Sequence, residues 1–175
     1  MNKIILDSEP VETFDVASLP MLIHGKEGSG ASLYTIAVAA NWYSQGSHVL
    51  FLCGYPMAEE EFTQQVGLSY QNARFYTQER LSEFTSVLNS VANNTLVVVK
   101  NVELFDKEVF NLVHKHSKLI ISGDVEETNF KKDLILHPFV TRIYFSELES
   151  VEIPQLEKYS GYVEAGEYKG VTKLG

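Results

Sequence analysis

Short apolar runs alternate along the chain with segments of helical periodicity. The five principal runs are residues 21–24, 47–53, 95–99, 118–122 and 141–145. Runs that are apolar throughout, without alternating polar positions, are typical of strands that are covered on both faces of a parallel sheet. The pattern therefore predicts an α/β protein: a three-layer sandwich built on a five-stranded, mainly parallel sheet.

The segments between these runs predict the helices. They are the stretch from the loop after residue 24 to about residue 46, followed by residues 58–66, 78–92, 106–116 and 129–136. A further short run at 73–77 predicts an edge strand. Because ligands of such sheets bind at the carboxyl ends of the strands, we expect a functional site there.

The two ends of the chain depart from this pattern. Residues 1–20 place a few apolar side chains among acidic ones and predict a short strand or an arm that covers the core. Residues 147–175 contain several glycines and alternate apolar with polar positions, which predicts a β-hairpin with its turn at Ala165 and Gly166. We interpret residues 1–175 as a single domain, with the hairpin extending its sheet.

A glycine-rich loop follows the first apolar run and precedes the first predicted helix. Residues 25–32 read Gly-Lys-Glu-Gly-Ser-Gly-Ala-Ser. They fit the phosphate-binding motif G-x-x-x-x-G-K-[ST] at Gly25, Gly30 and Ser32, but Ala31 stands where the motif has its lysine. His24, the last residue before the loop, is either a hydrogen-bonded strand-end histidine or a phosphate contact.

Composition narrows the range of functions. The net charge of −9 and the presence of only three arginines do not support a broad nucleic-acid surface. The single cysteine, Cys53, provides neither a disulfide nor a cysteine-based metal site. No stretch is apolar for long enough to span a membrane, and the acidic N-terminal residues do not resemble a secretory signal, so we expect a cytoplasmic protein without a membrane partner.

Residues 19–145 resemble the RecA-like and AAA-like branch of the P-loop NTPases. The resemblance lies in Gly25, Gly28, Gly30 and Ser32, and in the passage 41–52, where a helix ends at a glycine before an apolar strand. The β-rich tail, which takes the place of a helical lid, favours the RecA-like side.

The catalytic positions that the resemblance implies are not matched in this chain. The phosphate-binding lysine falls on Ala31, and the acidic residues after the second strand fall near Gly54 and Tyr55. The acid that supports magnesium at the end of the Walker B strand falls on Lys100 or Asn101. Such groups neutralise charge on the transferred phosphoryl group, so without them we expect hydrolysis to be very slow.

Two functional hypotheses follow from the resemblance. The first is a pseudo-ATPase without catalytic residues, which acts as an assembly or regulatory subunit with a protein partner or further copies of itself. ATP and Mg²⁺ are the ligands implied, with binding weak or lost, and Ser32 is the implied metal ligand. The alternative is an active ATPase, a small motor or DNA-processing subunit, that uses Lys26 and Glu103 in place of the missing groups. The implied cofactor-binding residues are Gly25, Lys26, Gly28, Ser29, Gly30, Ala31 and Ser32.

Overall fold

The structure, a computed structural model, describes residues 3–6, 12–15, 19–67, 71–92, 94–149 and 151–173. Its strands are β1 (Lys3–Leu6), β2 (Glu12–Asp15), β3 (Met21–His24), β4 (His48–Cys53), β5 (Ala73–Thr77), β6 (Thr95–Lys100), β7 (Leu119–Gly123), β8 (Thr141–Tyr144), β9 (Ser160–Ala165) and β10 (Tyr168–Lys173). Its helices are α1 (Ala31–Ser44), α2 (Ala58–Val66), α3 (Leu81–Leu88), α4 (Lys107–Val113) and α5 (Lys131–Leu136).

The central sheet has eight strands in the order β10-β9-β8-β3-β7-β6-β4-β5. The six strands from β8 to β5 are parallel, and β9 and β10 continue the sheet as an antiparallel hairpin. The predicted count of five strands is therefore wrong. The edge strand at 73–77 pairs fully with β4, and the hairpin pairs with the free edge of β8, where unpaired backbone groups accept a further strand.

Helices cover both faces of the sheet, as predicted. Successive residues of a strand point to opposite faces, so Phe51 packs with α1 and α2 while its neighbours Leu50 and Leu52 pack with α3 and α4. The strands β3, β4, β6 and β7 are almost entirely buried. This double coverage explains why their sequences are apolar throughout.

Some predicted boundaries need correction. The helix predicted over 78–92 begins as a 3-10 turn, Gln78–Arg80, and its α-helical part ends at Leu88, because a turn forms at Asn89 and Ser90. The hairpin turn lies at residues 166–167, one position later than predicted, since Ala165 is still paired with Tyr168 and Gly166 adopts a φ of 62°.

The N-terminal arm is described only in part. Its described segments, β1 and β2, pair as a separate antiparallel sheet, with Lys3 opposite Asp15. The rest of the predicted arm, residues 1–2, 7–11 and 16–18, lies outside the described residues, as do residues 150, 174 and 175 of the predicted tail. Within the described residues, none of the helices has the length and hydrophobicity required to cross a lipid bilayer.

Candidate functional site

The glycine-rich loop connects β3 to α1 in a compact turned conformation. The Gly25 N–H donates to the carbonyl oxygen of Gly123 on β7 at 3.1 Å, and the Ser29 N–H donates to that of Lys26 at 3.1 Å. Gly30 has a φ of 96°, a left-handed conformation that glycine adopts readily, and from it α1 begins at Ala31. The N-terminal end of α1, where the first backbone N–H groups have no partner within the helix, therefore faces the carboxyl ends of the strands.

Gly25 is required by close packing and not by its backbone angles. A Cβ atom at this position would lie 2.4 Å from Ala31 Cβ and 2.4 Å from Ser29 Oγ. The first glycine of the predicted motif thus allows the loop to fold back onto the start of α1.

His24 anchors the base of the loop. Its Nδ1 accepts the Val125 N–H at 3.1 Å, and its Nε2 donates to the carbonyl oxygen of Glu147 at 3.0 Å. Burial lowers the pKa of this imidazole, which favours the neutral form that the two bonds require. Of the two roles considered for His24, the structure supports the hydrogen-bonded strand-end histidine.

A cavity of about 330 Å³ lies between the loop and the strand ends. Its volume is within the range of small-ligand sites. The residues that line it come from the loop, from the start of α1, from α2 with the segment before it, and from the ends of β6 and β7: Gly25, Lys26, Glu27, Gly28, Gly30, Ala31, Ser32, Tyr55, Met57, Glu61, Lys100, Asn101, Glu103, Ser122, Gly123 and Asp124.

Lys100, the last residue of β6, is the buried cation of this cavity. Its residue exposure is 3%, and it pairs in register with Cys53 of β4 and Ser122 of β7. The nearest carboxylate is that of Glu61 on α2, whose Oε2 lies 3.9 Å from Lys100 Nζ. At that distance the two charged groups form an ion pair, but they are too far apart for a hydrogen bond.

The oxygen atoms near Lys100 are incompletely satisfied. Glu61 Oε2 and Asn101 Oδ1 are both inaccessible to solvent, and no described residue donates a hydrogen bond to either. Asn101 adopts a left-handed backbone with a φ of 61°, which turns the chain away from β6 immediately after Lys100. Unpaired buried oxygens of this kind are uncommon in folded proteins and are often associated with functional sites.

Two further carboxylates of the cavity, those of Glu103 and Asp124, serve neighbouring turns. Glu103 lies on the 3-10 turn Val102–Leu104, and its Oε2 accepts the Asp124 N–H at 2.9 Å. Asp124 Oδ1 accepts the Glu126 N–H at 3.1 Å and caps the 3-10 turn Val125–Glu127. Both carboxylates thus have structural roles at the strand ends.

A buried hydrogen bond fixes α1 to the sheet beside the cavity. Thr35 Oγ1 and Ser122 Oγ are 2.6 Å apart, and Thr35 Oγ1 also donates to the carbonyl oxygen of Ala31 at 2.8 Å. The first turn of α1 is therefore held against the end of β7, next to Lys100.

Tyr159, which directly precedes β9, packs against the glycine-rich loop. A Cβ atom at Gly30 would lie 3.3 Å from Tyr159 Cδ1. Tyr159 has a φ of 62°, which is unusual for a bulky residue, and it packs beneath the ammonium group of Lys158 at 4.8 Å. The segment that enters β9 thus contacts the glycine-rich loop.

The structure brings the predicted site residues together. Six of the seven cofactor-binding positions line the cavity, and the seventh, Ser29, lies in the same loop, where its Oγ accepts the Ala31 N–H at 3.4 Å. Lys26 and Glu103, the residues of the alternative hypothesis, also line it. Ser32 is half-buried in the first turn of α1, and its role as a metal ligand remains a prediction.

Sequence reasoning missed the contribution of the neighbouring strands and of α2. Lys100 and Tyr55 were expected only as positions of absent acids, and Glu61 and Met57 were not expected at the site. One signal was available: Lys100 is a lone charge that directly follows five apolar or β-branched residues.

The cavity suits a phosphate group better than a divalent cation. Backbone N–H groups at a helix start and a buried ammonium group both attract anions. Magnesium instead requires oxygen ligands, and the ammonium group of Lys100 lies at the strand end where the fold would place a carboxylate. Among the described residues, no group of three or more histidine, cysteine, aspartate or glutamate side chains is arranged to hold a metal ion.

A second depression, of about 700 Å³, lies between α5, β8 and the C-terminal hairpin. It contains Arg142, whose guanidinium donates to the carbonyl oxygens of Leu134 and Ile135 at 3.4 and 2.8 Å. Since this charge already stabilises the end of α5, we do not consider the depression as the functional site.

Solved structures share the architecture described above. The cytoplasmic domain of EssC matches 99% of this chain with a TM-score of 0.63 and 12% identity, and the conjugation coupling protein TcpA of pCW3, in its monomer form with ATPγS, matches 98% with a TM-score of 0.57 and 14% identity. The flagellar accessory protein FlaH from Methanocaldococcus jannaschii matches 85% with a TM-score of 0.54 and 12% identity. The chain shares the α/β fold of these proteins, which fits the predicted RecA-like architecture.

The match covers only part of each of these solved chains. The chain spans 43% of the EssC chain, 65% of the TcpA chain and 77% of the FlaH chain. No protein-family model and no curated protein matches the sequence. At 12–14% identity the comparisons establish the fold, and the chemistry of the site must be argued from its own residues.

Proposed function

We propose that this chain is a non-hydrolysing P-loop-type subunit, which binds a phosphate-bearing ligand weakly at residues 25–32 and acts in assembly or regulation. The observation that carries the proposal is the composition of the cavity. The loop has the glycines that a phosphate requires, but Ala31 replaces its lysine, and Lys100 ends the strand where a metal-supporting carboxylate is needed.

The active-ATPase alternative is less well supported by the same residues. Glu103 has the correct chemistry for a base, but its carboxylate accepts the Asp124 N–H and holds a turn in place. Lys26 is exposed, and its own backbone N–H donates to Ser146 Oγ at 2.9 Å. A solvated lysine on a loop offers less to a transition state than a fixed group in a low-dielectric site.

Apolar side chains at the site support a role in assembly. Tyr55 and Met57 line the cavity with exposed fractions of 54% and 60%, and Leu33, in the first turn of α1, is 49% exposed. Large exposed apolar side chains beside a cavity, here Tyr55 and Met57, are typical of contacts with a partner or with a ligand. We propose a cytoplasmic protein that contacts a protein partner or a further copy of itself through the exposed side chains of Tyr55 and Met57.

Hydrolysis and binding can be measured separately. We expect ATP to raise the melting temperature, because a ligand that binds only the folded state stabilises it. We also expect no steady phosphate release above a protein-free control. Turnover that disappears in Lys26→Ala and in Glu103→Gln would establish the alternative and overturn the proposal.

The assembly role requires its own measurement. Light scattering over a range of concentrations, alone and with ATP, should reveal self-association, and Tyr55→Ser with Met57→Ser should reduce it. A concentration-independent monomer would exclude a homo-oligomer and leave only a different protein as partner.

A further inference from the structure

We propose that Lys100 supplies the positive charge that the loop lacks at Ala31, and that the cavity therefore binds a polyphosphate group without a divalent metal ion. The inference rests on the proposed function, because it takes residues 25–32 to be the phosphate-binding loop. It goes further in naming the cation, the ligand class and the absence of a metal requirement.

Lys100 lies where a ligand of the glycine-rich loop can contact it. Lys100 lines the same cavity as the loop, and its side chain is 4% exposed. It lies two strands from β3, across β7, which corresponds to about 10 Å at the usual spacing of neighbouring strands. A polyphosphate that contacts the N-terminal end of α1 extends over this distance toward the end of β6.

The ion pair between Lys100 and Glu61 is incomplete. A buried charge normally requires a partner at hydrogen-bond distance, because desolvation costs more than a loose contact returns. Glu61 Oε2 lies 3.9 Å from Lys100 Nζ, is inaccessible to solvent and accepts no hydrogen bond from any described residue. Glu61 therefore balances the charge of Lys100 without satisfying it, and an incoming anion competes with Glu61 for the ammonium group.

The charges around the cavity favour an anion that is bound without Mg²⁺. In P-loop enzymes magnesium and lysine neutralise phosphate charge together. Here the fixed ammonium group repels a divalent cation at the strand end, and the carboxylates of Glu103 and Asp124 already accept backbone hydrogen bonds. The first turn of α1 contains no acidic residue, so the positive end of its dipole remains available to an anion.

The experiment measures the affinity of inorganic tripolyphosphate and of ATP by isothermal titration calorimetry, in EDTA and in excess Mg²⁺. We expect both probes to bind at least as tightly in EDTA as with Mg²⁺. Lys100→Met should weaken binding by about tenfold to a hundredfold, as expected for the loss of a charged hydrogen-bond donor. Lys115→Met, which removes an exposed lysine that does not line the cavity, should change affinity by less than about fivefold.

Glu61→Gln separates this inference from a purely structural ion pair. It removes the competing carboxylate and keeps Lys100, so binding should become tighter. The double variant Lys100→Met with Glu61→Gln leaves no unpaired charge, which favours a folded protein, and it should bind as weakly as Lys100→Met alone. If the double variant does not fold, Glu61→Gln alone tests the inference. Binding by Glu61→Gln that is unchanged or weaker than that of the unmodified protein overturns it.

The outcomes distinguish the inference from the proposed function. Binding that requires Mg²⁺, or that is unchanged in the folded double variant, overturns the role of Lys100 and leaves the loop as a phosphate site. If neither probe binds the unmodified protein in either condition, both proposals are overturned together.

Discussion

Gly25→Ala should destabilise the protein, because the space beside Gly25 is already filled. The new Cβ would lie 2.4 Å from both Ala31 Cβ and Ser29 Oγ, with Phe145 Cβ at 3.2 Å. Ordinary contacts begin near 3.4 Å, so the start of α1 and the loop must move apart by about 1 Å. The perturbation therefore tests whether the loop is packed against its own helix as described.

The magnitude follows from two opposing effects. Forcing an extra methyl group into a packed site costs about 1–3 kcal/mol. Replacing glycine by alanine also restricts the unfolded chain, which returns about 0.4–1 kcal/mol. Because two contacts are about 1 Å too short, the cost lies in the upper part of that range, about 2–3 kcal/mol, so the free energy of unfolding should fall by about 1–2.6 kcal/mol and the melting temperature by about 2–10 °C.

Urea unfolding followed by circular dichroism measures this change, with an unchanged m-value as the sign of an intact two-state transition. Gly28→Ala is the matched control. Gly28 has a φ of 81°, and apart from its chain neighbours no atom of the described residues lies within 4 Å of the position that its new methyl group would take, so its cost comes from backbone strain. Its effect should be independent of the residue at position 31.

A double-mutant cycle with Ala31→Gly separates the two causes. In this cycle the coupling energy between Gly25→Ala and Ala31→Gly should be at least about 0.5 kcal/mol, and that between Gly28→Ala and Ala31→Gly should be close to zero. If Gly25→Ala is within about 0.3 kcal/mol of the unmodified protein, or if the cycle shows no coupling, the close packing of the loop is refuted.

Three further predictions concern the core, the loop anchor and the cysteine. Phe62→Ala should lower the free energy of unfolding by about 3–5 kcal/mol, since Phe62 is fully buried with ring centroids 5.3 Å from Phe51 and 5.5 Å from Phe75; a loss below about 1 kcal/mol in urea unfolding would contradict this packing. Because burial lowers the pKa of His24 below 6.5, the unfolded chain protonates first, so stability should fall as the pH drops from about 6.5 toward the folded pKa. His24→Gln should flatten that slope in urea unfolding as a function of pH, and an unchanged slope would refute the anchor. Burial raises the pKa of Cys53 to about 12, so a thiol reagent such as DTNB should label it at neutral pH only after unfolding; rapid labelling of the native protein would contradict its burial.

The sequence predicted the fold because hydrophobic periodicity reports burial directly. Strands that are covered on both faces are apolar throughout, and those runs define the central sheet. The tail was harder to place, because alternation in a hairpin predicts pairing within the hairpin but not the strand beside it. The predicted count of five strands leaves out the edge strand at 73–77 and the two hairpin strands, although the sequence predicts both as additions to the sheet.

The site was predictable only in its local part. Residues 25–32 are contiguous, so their motif can be read from the chain itself. The position of Lys100 depends on the strand order β4-β6-β7-β3, which no periodicity encodes, and its contact with Glu61 depends on where α2 packs. The residues whose roles arise from tertiary neighbours were therefore the ones that sequence reasoning missed.

The hydrogen bond between Thr35 and Ser122 has a kinetic consequence. Because it joins the first helical turn to the sheet, with both hydroxyl groups buried, the helix start is held in place in the structure without a ligand. A preformed site needs no slow rearrangement, so association should be limited by diffusion and orientation. For the proposed phosphate-bearing ligand, substitutions around the cavity should then act mainly on the dissociation rate, and so on the lifetime of the complex.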